Sequence, residues 1–140
     1  MRFVLDNSVV MRWLFSDGTV EAIDYAKRIL EFLTHEDAVA LVPRIWALEV
    51  GNVIVCAEAK GLLQEARSAE FLGNLLEMGI ETDSRTNPHA LSDTLQLARR
   101  YKLSTYDASY LELALREGLP LATNDDALRK TLASAGGRLA

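Results

Sequence analysis

The chain has 140 residues, of which 49% are hydrophobic and 25% charged, and 20 acidic against 15 basic side chains give it a formal net charge of −5. These values are typical of a globular domain rather than a disordered chain, and they predict a single domain over residues 1–140. The acidic balance argues against a protein that binds nucleic acid through a basic surface, and a single cysteine, which can form no intramolecular disulfide, favours the reducing cytoplasm.

Short apolar runs alternate along the chain with longer segments of helical period. The apolar runs predict strands at Arg2–Leu5, Ala38–Val42, Ile80–Thr82 and Leu119–Thr123, with a final edge strand at Gly137–Ala140. Helices are predicted over residues 8–15, 19–35, 45–60, 64–78, 87–101, 104–117 and 125–135. Strands joined by crossover helices form a mostly parallel sheet covered on both faces, so the predicted fold class is α/β, a three-layer α/β/α sandwich.

No part of the chain has the pattern of a membrane or export segment. The most apolar stretch, residues 39–57, is interrupted by Pro43, Arg44 and Glu49, so it does not predict a membrane span. The first strand begins at Arg2 without a basic segment and a long apolar region before it, so no signal peptide is predicted.

Two aspartates follow predicted strands at the points where the strands end. Asp6 comes directly after the first strand, and Asp125 lies two residues beyond Thr123. Ligands of open parallel sheets bind outside the carboxyl ends of the strands. Both carboxylates are therefore expected to point into one crevice if the two strands are neighbours.

Glu49 and Asp107 are predicted to lie on helix faces that otherwise carry apolar side chains. An ionised carboxylate facing a core costs several kcal/mol unless it is compensated, and no Arg or Lys stands four residues from either one. Cys56, on the stripe of Glu49, is expected to be a small buried hydrophobe. The apolar neighbours at helical spacing are Ile45, Leu48, Val53 and Cys56 for Glu49, and Tyr110, Leu111, Ala114 and Leu115 for Asp107.

A divalent cation would compensate these carboxylates together. Oxygen ligation without sulfur favours Mg²⁺ or Mn²⁺ over zinc. Such an ion can orient water, lower its pKa and offset charge on a phosphate, so the chemistry indicated is phosphodiester hydrolysis.

Three of the four acids also fit a structural interpretation. Asp6 begins D-N-S, which suits a turn or a helix cap, and Asp107 completes a capping box from Ser104. Asp125 could cap the last helix, and a box from Thr123 to Asp126 fits as well. Glu49, well inside its helix, has no such explanation, and four independent coincidences are a weaker account than one joint site.

The segments FVLDNSV, PRIWALEVGNVI and LSTYDASYLELALREGLPLATNDDAL, in this order, resemble the PIN domain, and more closely the VapC-like ribonuclease toxins of type II toxin–antitoxin modules. The resemblance runs from Met1 to about Arg138. It implies a metal-dependent endoribonuclease whose acidic quartet binds Mg²⁺ or Mn²⁺: Asp6, Glu49, Asp107 and Asp125.

The resemblance also implies individual roles. Asp6 and Asp107 would be direct metal ligands, and Glu49 would hold the metal through water or orient the attacking water. Asp125 would complete the shell, although the adjacent Asp126 blurs that assignment by one residue. Ser8 and Thr123 match polar positions that support such sites.

The partners implied are an RNA substrate, a second copy of the chain, and a small antitoxin that inserts a basic residue near the carboxylates. An acidic crevice is a physically sensible target for such a residue. Basic residues that could follow the RNA, or simply be solvated surface groups, are Arg12, Arg44, Lys60, Arg99, Arg100 and Lys102.

Other phosphate-handling folds fit less well. A haloacid dehalogenase-type phosphatase needs a second Asp where this chain has Ser8. A receiver domain needs an acidic pair after the first strand and a late Lys, but Asp6 stands alone and LPLATNDD contains no Lys. A dinucleotide-binding domain needs the motif G-x-G-x-x-G, which does not follow the first strand. The remaining alternatives are a PIN-like binding or adaptor module without nuclease activity and a non-toxin PIN ribonuclease of RNA processing. All four acidic positions are retained, which favours activity.

Overall fold

The computed structural model describes all 140 residues, Met1–Ala140. Four strands form one sheet in the order β3-β2-β1-β4, and every pair is parallel. The strands are β1 (Arg2–Leu5), β2 (Val39–Val42), β3 (Ile80–Thr82) and β4 (Leu121–Ala122). The helices are α1 (Asn7–Leu14), α2 (Val20–Phe32), α3 (Trp46–Ala59), α4 (Glu65–Leu76), α5 (Thr86–Ala90), α6 (Asp93–Tyr101), α7 (Thr105–Glu117) and α8 (Asp126–Ser134).

The sheet separates two apolar cores, which confirms the predicted three-layer α/β/α arrangement. Phe3 and Leu5 of β1 face a core built with α1 to α4, whereas Val4 faces a second core built with α7 and α8. Adjacent residues of one strand point to opposite faces, so β1, buried on both sides, is the centre of the molecule. No helix is both long and apolar enough to cross a membrane.

Several predicted boundaries are confirmed by their caps. The Thr19 hydroxyl accepts a hydrogen bond from Ala22 N–H at the start of α2, and the Ser104 hydroxyl accepts one from Asp107 N–H at the start of α7. Gly118 ends α7 with φ of 64°, a conformation that favours glycine.

The helix predicted over residues 87–101 is wrong as a single element. The chain forms α5 and α6 with a break at Leu91 and Ser92. The Ser92 hydroxyl donates to the carbonyl oxygens of Pro88 and His89, both at 3.4 Å. A side chain that bonds to the preceding turn in this way competes with continued helix.

Two strand predictions are corrected at the C-terminal end. Of residues 119–123 only Leu121 and Ala122 pair as a strand, and residues 137–140 form no strand but a single bridge between Leu139 and Leu121. Pro120 has no N–H to donate, and the last residues meet β4 only through Leu121.

The apolar stripe predicted for α3 is also wrong. Its buried residues are Val50, Ile54 and Ala57, while Leu48 and Cys56 are exposed. The helix is apolar nearly all round, so the sequence pattern does not single out one face. Glu49 lies at the edge of the buried face and is half-buried.

Candidate functional site

Asp6 lies at the carboxyl end of the central strand. Its N–H donates to the carbonyl oxygen of Ala122 at 2.9 Å, which joins the ends of β1 and β4. The side chain is only 5% exposed. Asp6 occupies the N-cap position of α1 but makes no side-chain cap hydrogen bond, so the cap interpretation of D-N-S does not explain the carboxylate.

Two hydroxyls orient that carboxylate. Ser8 Oγ donates to Asp6 Oδ2 at 2.6 Å, and Thr123 Oγ1 donates to the same oxygen at 2.8 Å. Each hydroxyl in turn accepts a backbone N–H, from Asn124 for Ser8 and from Asp125 for Thr123. The hydroxyl protons are therefore directed at Asp6, and Oδ1 is left without a side-chain donor.

Glu49 projects from α3 toward α7. The hydroxyl of Tyr110, a fully buried residue of α7, donates to Glu49 Oε1 at 2.7 Å. This hydrogen bond fixes the carboxylate between the two helices.

Asp107 lies on the first turn of α7, half-buried. The expected apolar neighbours Tyr110, Leu111 and Ala114 are buried, so this helix presents its acid at the end of a buried face, as the sequence predicted. Ser104 caps the helix at that end.

Asp125 does cap α8, since its Oδ1 accepts a hydrogen bond from Leu128 N–H at 2.8 Å. The structural interpretation is correct for this oxygen, and it leaves the second one available. Asp126, the neighbouring acid, lines a different cleft, so Asp125 is the acid that faces Asp6.

All four carboxylates line one crevice of about 790 Å³, here called the acidic crevice. None of the four forms an ion pair within 4.0 Å with Lys, Arg or His. The four carboxylates do not form a tight cluster: no three of these residues have ligand oxygens that all lie within 4.8 Å of one another. The carboxylates thus share a crevice without any cationic side chain that neutralises them.

Burial and mutual repulsion act on three of these groups. Burial raises the pKa of Asp6, opposed by the hydrogen bonds from Ser8 and Thr123 and reinforced by the charge of Asp125. Burial likewise raises the pKa of Glu49, opposed by Tyr110 and reinforced by Asp6 and Asp107.

Asp107 follows the same pattern. Burial raises its pKa first, and the charges of Asp6 and Asp125 add to the increase. Like charges held together in this way are relieved by a cation. The donor set, consisting only of carboxylate oxygens, fits Mg²⁺ or Mn²⁺.

The crevice continues from the carboxylates into an apolar stretch between α1 and α3. Met11, Phe15, Val53 and Leu62 line this part. The basic residues Arg12 and Lys60 also line the crevice, and Arg12 is paired with Asp17. The other basic candidates, Arg44, Arg99, Arg100 and Lys102, do not line it.

A second group of ligand-type side chains lies elsewhere. His89, Asp93 and Glu112 offer atoms that all lie within 4.8 Å of one another. Glu112 is 5% exposed, and both its oxygens accept hydrogen bonds from Arg116, at 2.7 and 3.1 Å. Because a guanidinium already neutralises this carboxylate, the group is better explained as a structural ion-pair network.

Sequence reasoning missed two contributors to the acidic crevice. In the sequence Tyr110 is only an apolar neighbour of Asp107, and nothing in the pattern indicates that its phenolic hydroxyl donates a hydrogen bond to Glu49, 61 residues away. Nor does the pattern single out Asn124, which links Ser8 to the loop before α8. The Arg116 network was also missed, because its acid Asp83 is 33 residues away along the chain.

The comparisons with known proteins agree with this architecture. The family model of the PIN domain matches residues 3–132. The crystal structure of PAE2754 from Pyrobaculum aerophilum is similar at a TM-score of 0.68 and 20% identity, over 94% of this chain and 79% of that one. A toxin–antitoxin complex from Klebsiella pneumoniae is similar at a TM-score of 0.59 and 24% identity, over 99% and 96% of the two chains. No curated protein gives a significant match.

Proposed function

The chain belongs to the PIN domain family, and on that premise we propose that it is a Mg²⁺- or Mn²⁺-dependent endoribonuclease, the toxin of a type II toxin–antitoxin pair. PIN domains are in general metal-dependent nucleases. The observation that carries the proposal is the acidic crevice, where four carboxylates line one cavity and none of them forms an ion pair with Lys, Arg or His.

Asp6, Glu49, Asp107 and Asp125 would hold the cation. When bound, it would supply Lewis-acid activation of water and neutralise negative charge that develops on the phosphate. Asp6, held by the hydroxyls of Ser8 and Thr123, and Asp107, held at the start of α7, are proposed as the direct ligands.

Glu49 is proposed to orient the attacking water and accept its proton. Its pKa is raised, which brings it nearer to the working pH, as suits a general base. The hydrogen bond from Tyr110 fixes the Glu49 carboxylate in position and limits the increase in its pKa. Ser8, Thr123 and Tyr110 are thus positioning residues.

The antitoxin is proposed to bind along the acidic crevice. The apolar stretch beside the carboxylates suits an amphipathic segment, and the carboxylates themselves suit an Arg or Lys at its end. The similar fold from Klebsiella pneumoniae is a toxin–antitoxin complex, which supports such a partner here. With one cysteine and a substrate of RNA, we expect the protein to act in the cytoplasm.

A homodimer is proposed on the basis of a separate apolar groove of about 520 Å³. Leu48, Leu91 and Tyr106 line it and are all exposed, Leu91 to 85%. Monomeric proteins seldom expose large apolar side chains together. Sedimentation of the wild type and of Leu91→Glu tests this: a dimer that the substitution dissociates supports the assignment, and a monomeric wild type rejects it.

The activity is tested by cleavage of an end-labelled single-stranded RNA with Mn²⁺ and with EDTA. The wild type should cleave only with Mn²⁺, and Asp107→Asn should not cleave. Asp93→Asn, which removes a carboxylate that pairs with His89 outside the acidic crevice, should cleave like the wild type. A 2′-O-methyl group at the cleaved position should not block the reaction, because water rather than the 2′-hydroxyl attacks.

A folded wild type that does not cleave in Mn²⁺ would favour the alternative of a PIN-like binding or adaptor module. A non-toxin ribonuclease of RNA processing is the other alternative. Expression in cells separates it from a toxin, since a toxin should arrest growth in a manner that depends on Asp107.

A further inference from the structure

A second cleft, of about 490 Å³, adjoins the acidic crevice. Ala22 and Asn124 line both, and the Asn124 side-chain amide donates to the carbonyl oxygen of Ala22 at 3.1 Å. The next residue along the chain is Asp125. The second cleft therefore lies beside the acidic crevice, and the hydrogen-bonded pair Asn124 and Ala22 lies between the two.

Two arginines and a tyrosine (Tyr25, Arg28 and Arg129) are among the residues that line this cleft, here called the arginine cleft. The guanidinium carbons of Arg28 and Arg129 lie 5.7 and 4.6 Å from the centre of the Tyr25 ring. Tyr25 is 6% exposed, and its hydroxyl donates to Ala140 O at 2.9 Å. A ring this deeply buried cannot stack on a base, but it can hold two cations near each other.

Arg129 is also tied to the acidic crevice. Its Nε donates to the carbonyl oxygen of Thr123 at 2.7 Å, and Thr123 is the residue whose hydroxyl orients Asp6. The position of this guanidinium relative to the carboxylates is thereby fixed by the backbone.

Neither arginine of the cleft has an acidic partner. Glu21 and Asp126 line the cleft, yet no carboxylate oxygen lies within 4.0 Å of either guanidinium. In a chain of net charge −5, two arginines held side by side outside any ion pair leave both guanidinium groups without an anionic partner. The guanidinium presents paired donors that match phosphate oxygens.

We propose that the arginine cleft binds a backbone phosphate of the RNA strand adjacent to the phosphodiester that is cut. This inference rests on the proposed ribonuclease activity and specifies where its substrate is held. Acidic residues outnumber the basic Arg12 and Lys60 in the lining of the acidic crevice, so a cationic cleft beside it would help to bring a polyanionic strand into place. Phosphate contacts fix the position of a strand and carry no sequence information, so this cleft sets the register of cleavage rather than the sequence that is cut.

The test compares Arg28→Gln and Arg129→Gln with Lys27→Gln. Lys27 is exposed, precedes Arg28 on α2 and does not line the cleft, so its substitution makes the same change in charge. Cleavage of a single-stranded RNA in Mn²⁺ should show KM raised about tenfold in each arginine variant, because each removes one charged hydrogen-bond donor group from the phosphate. The value of kcat should change less than about twofold, because neither arginine is placed at the reacting atoms.

Salt dependence gives a second readout that a merely structural role would not change. The slope of log kcat/KM against log salt should become shallower by about 0.7 for each RNA phosphate that the variant no longer neutralises. Lys27→Gln should keep the wild-type KM and slope. An unchanged KM and slope in both arginine variants, or an equal effect in Lys27→Gln, would overturn the proposal.

Fluorescence anisotropy of the same RNA in EDTA separates this proposal from the ribonuclease activity. If the wild type binds without cleaving when Mn²⁺ is restored, the ribonuclease proposal fails, while weaker binding by Arg28→Gln would still support the phosphate site. Wild-type affinity in both arginine variants, together with binding of a hexaglutamate peptide that those variants lose, would assign the cleft to an acidic protein segment and overturn the proposal.

Discussion

Thr123 and Asp6 are 117 residues apart in the chain, and the hydroxyl of Thr123 donates a hydrogen bond of 2.8 Å to the Asp6 carboxylate. Thr123 is fully buried, and its hydroxyl accepts the N–H of Asp125. The hydrogen bond joins the ends of β1 and β4, so the pairing of two strands sets the orientation of a candidate metal ligand.

Thr123→Val should raise the Mn²⁺ concentration needed for half of the maximal cleavage rate by about tenfold or more, because side chains that orient a metal ligand affect metal affinity to that degree. Loss of a donor to the charged form would raise the pKa of Asp6 further. Thr123→Ser keeps the hydroxyl and should remain close to wild type. The Mn²⁺ concentration that gives half of the maximal cleavage rate measures the effect, and equal midpoints for Val and Ser would contradict it.

Asp6→Asn and Asp107→Asn should each abolish cleavage and should not destabilise the metal-free protein. Burial and neighbouring carboxylates raise both pKa values, so their ionised forms weaken the fold at neutral pH. Urea unfolding in EDTA at pH 7 should show equal or higher stability than the wild type. A clear loss of stability would indicate that the carboxylates are structural.

Tyr110→Phe should shift the acid limb of the pH–rate profile to higher pH. The Tyr110 hydroxyl donates to Glu49 and lowers the pKa of that carboxyl, against burial, which raises it. Without this donor Glu49 would ionise only at a higher pH, and activity would appear later as pH rises. Loss of the hydrogen bond should also cost about 1 kcal/mol of stability. An unchanged acid limb would show that Glu49 does not control the rate.

Asp83→Asn should lower stability at pH 7 by about 2 kcal/mol. Burial tends to raise the pKa of Asp83, but the hydrogen bonds from Arg116 and from Arg85 and Thr86 outweigh it, and the pKa is lowered. A lowered pKa contributes stability above the ordinary value of about 3.9 that is lost as pH falls through the folded-state value. The difference between wild type and variant should therefore shrink below about pH 4. A difference of constant size from pH 7 to pH 2 would contradict this.

The parts of the fold that depend on local chemistry could be predicted from the sequence. Thr19 and Ser104 start α2 and α7 by capping them with their own hydroxyls, and Gly118 ends α7 through its left-handed backbone conformation. The structure confirms all three of these predicted helix ends. The break near Ser92 could not be predicted in the same way, because no glycine or proline marks it and its cause is a hydroxyl bonded to the preceding turn.

The acidic crevice was partly predictable for a related reason. Asp6 and Asp107 stand out because each interrupts a pattern, one at the end of a strand and the other on an apolar helix face. The stripe predicted around Glu49 was the wrong one, since α3 buries Val50 and Ile54 instead. The arginine cleft was not predictable, because Arg28 and Arg129 meet only through the tertiary position of Tyr25.

The central claim, that the four carboxylates form a divalent-cation site, is tested most directly by thermal unfolding with and without Mn²⁺. Saturating Mn²⁺ should raise the Tm of the wild type, since a ligand at a hundredfold excess over its Kd contributes about 2.7 kcal/mol. His89→Gln, in the other group of ligand-type side chains, should respond like the wild type, and the double variant Asp6→Asn/Asp107→Asn should have a higher Tm in EDTA and no response to Mn²⁺. A wild type whose Tm does not change, or a response that survives in the double variant and disappears in His89→Gln, would contradict the account.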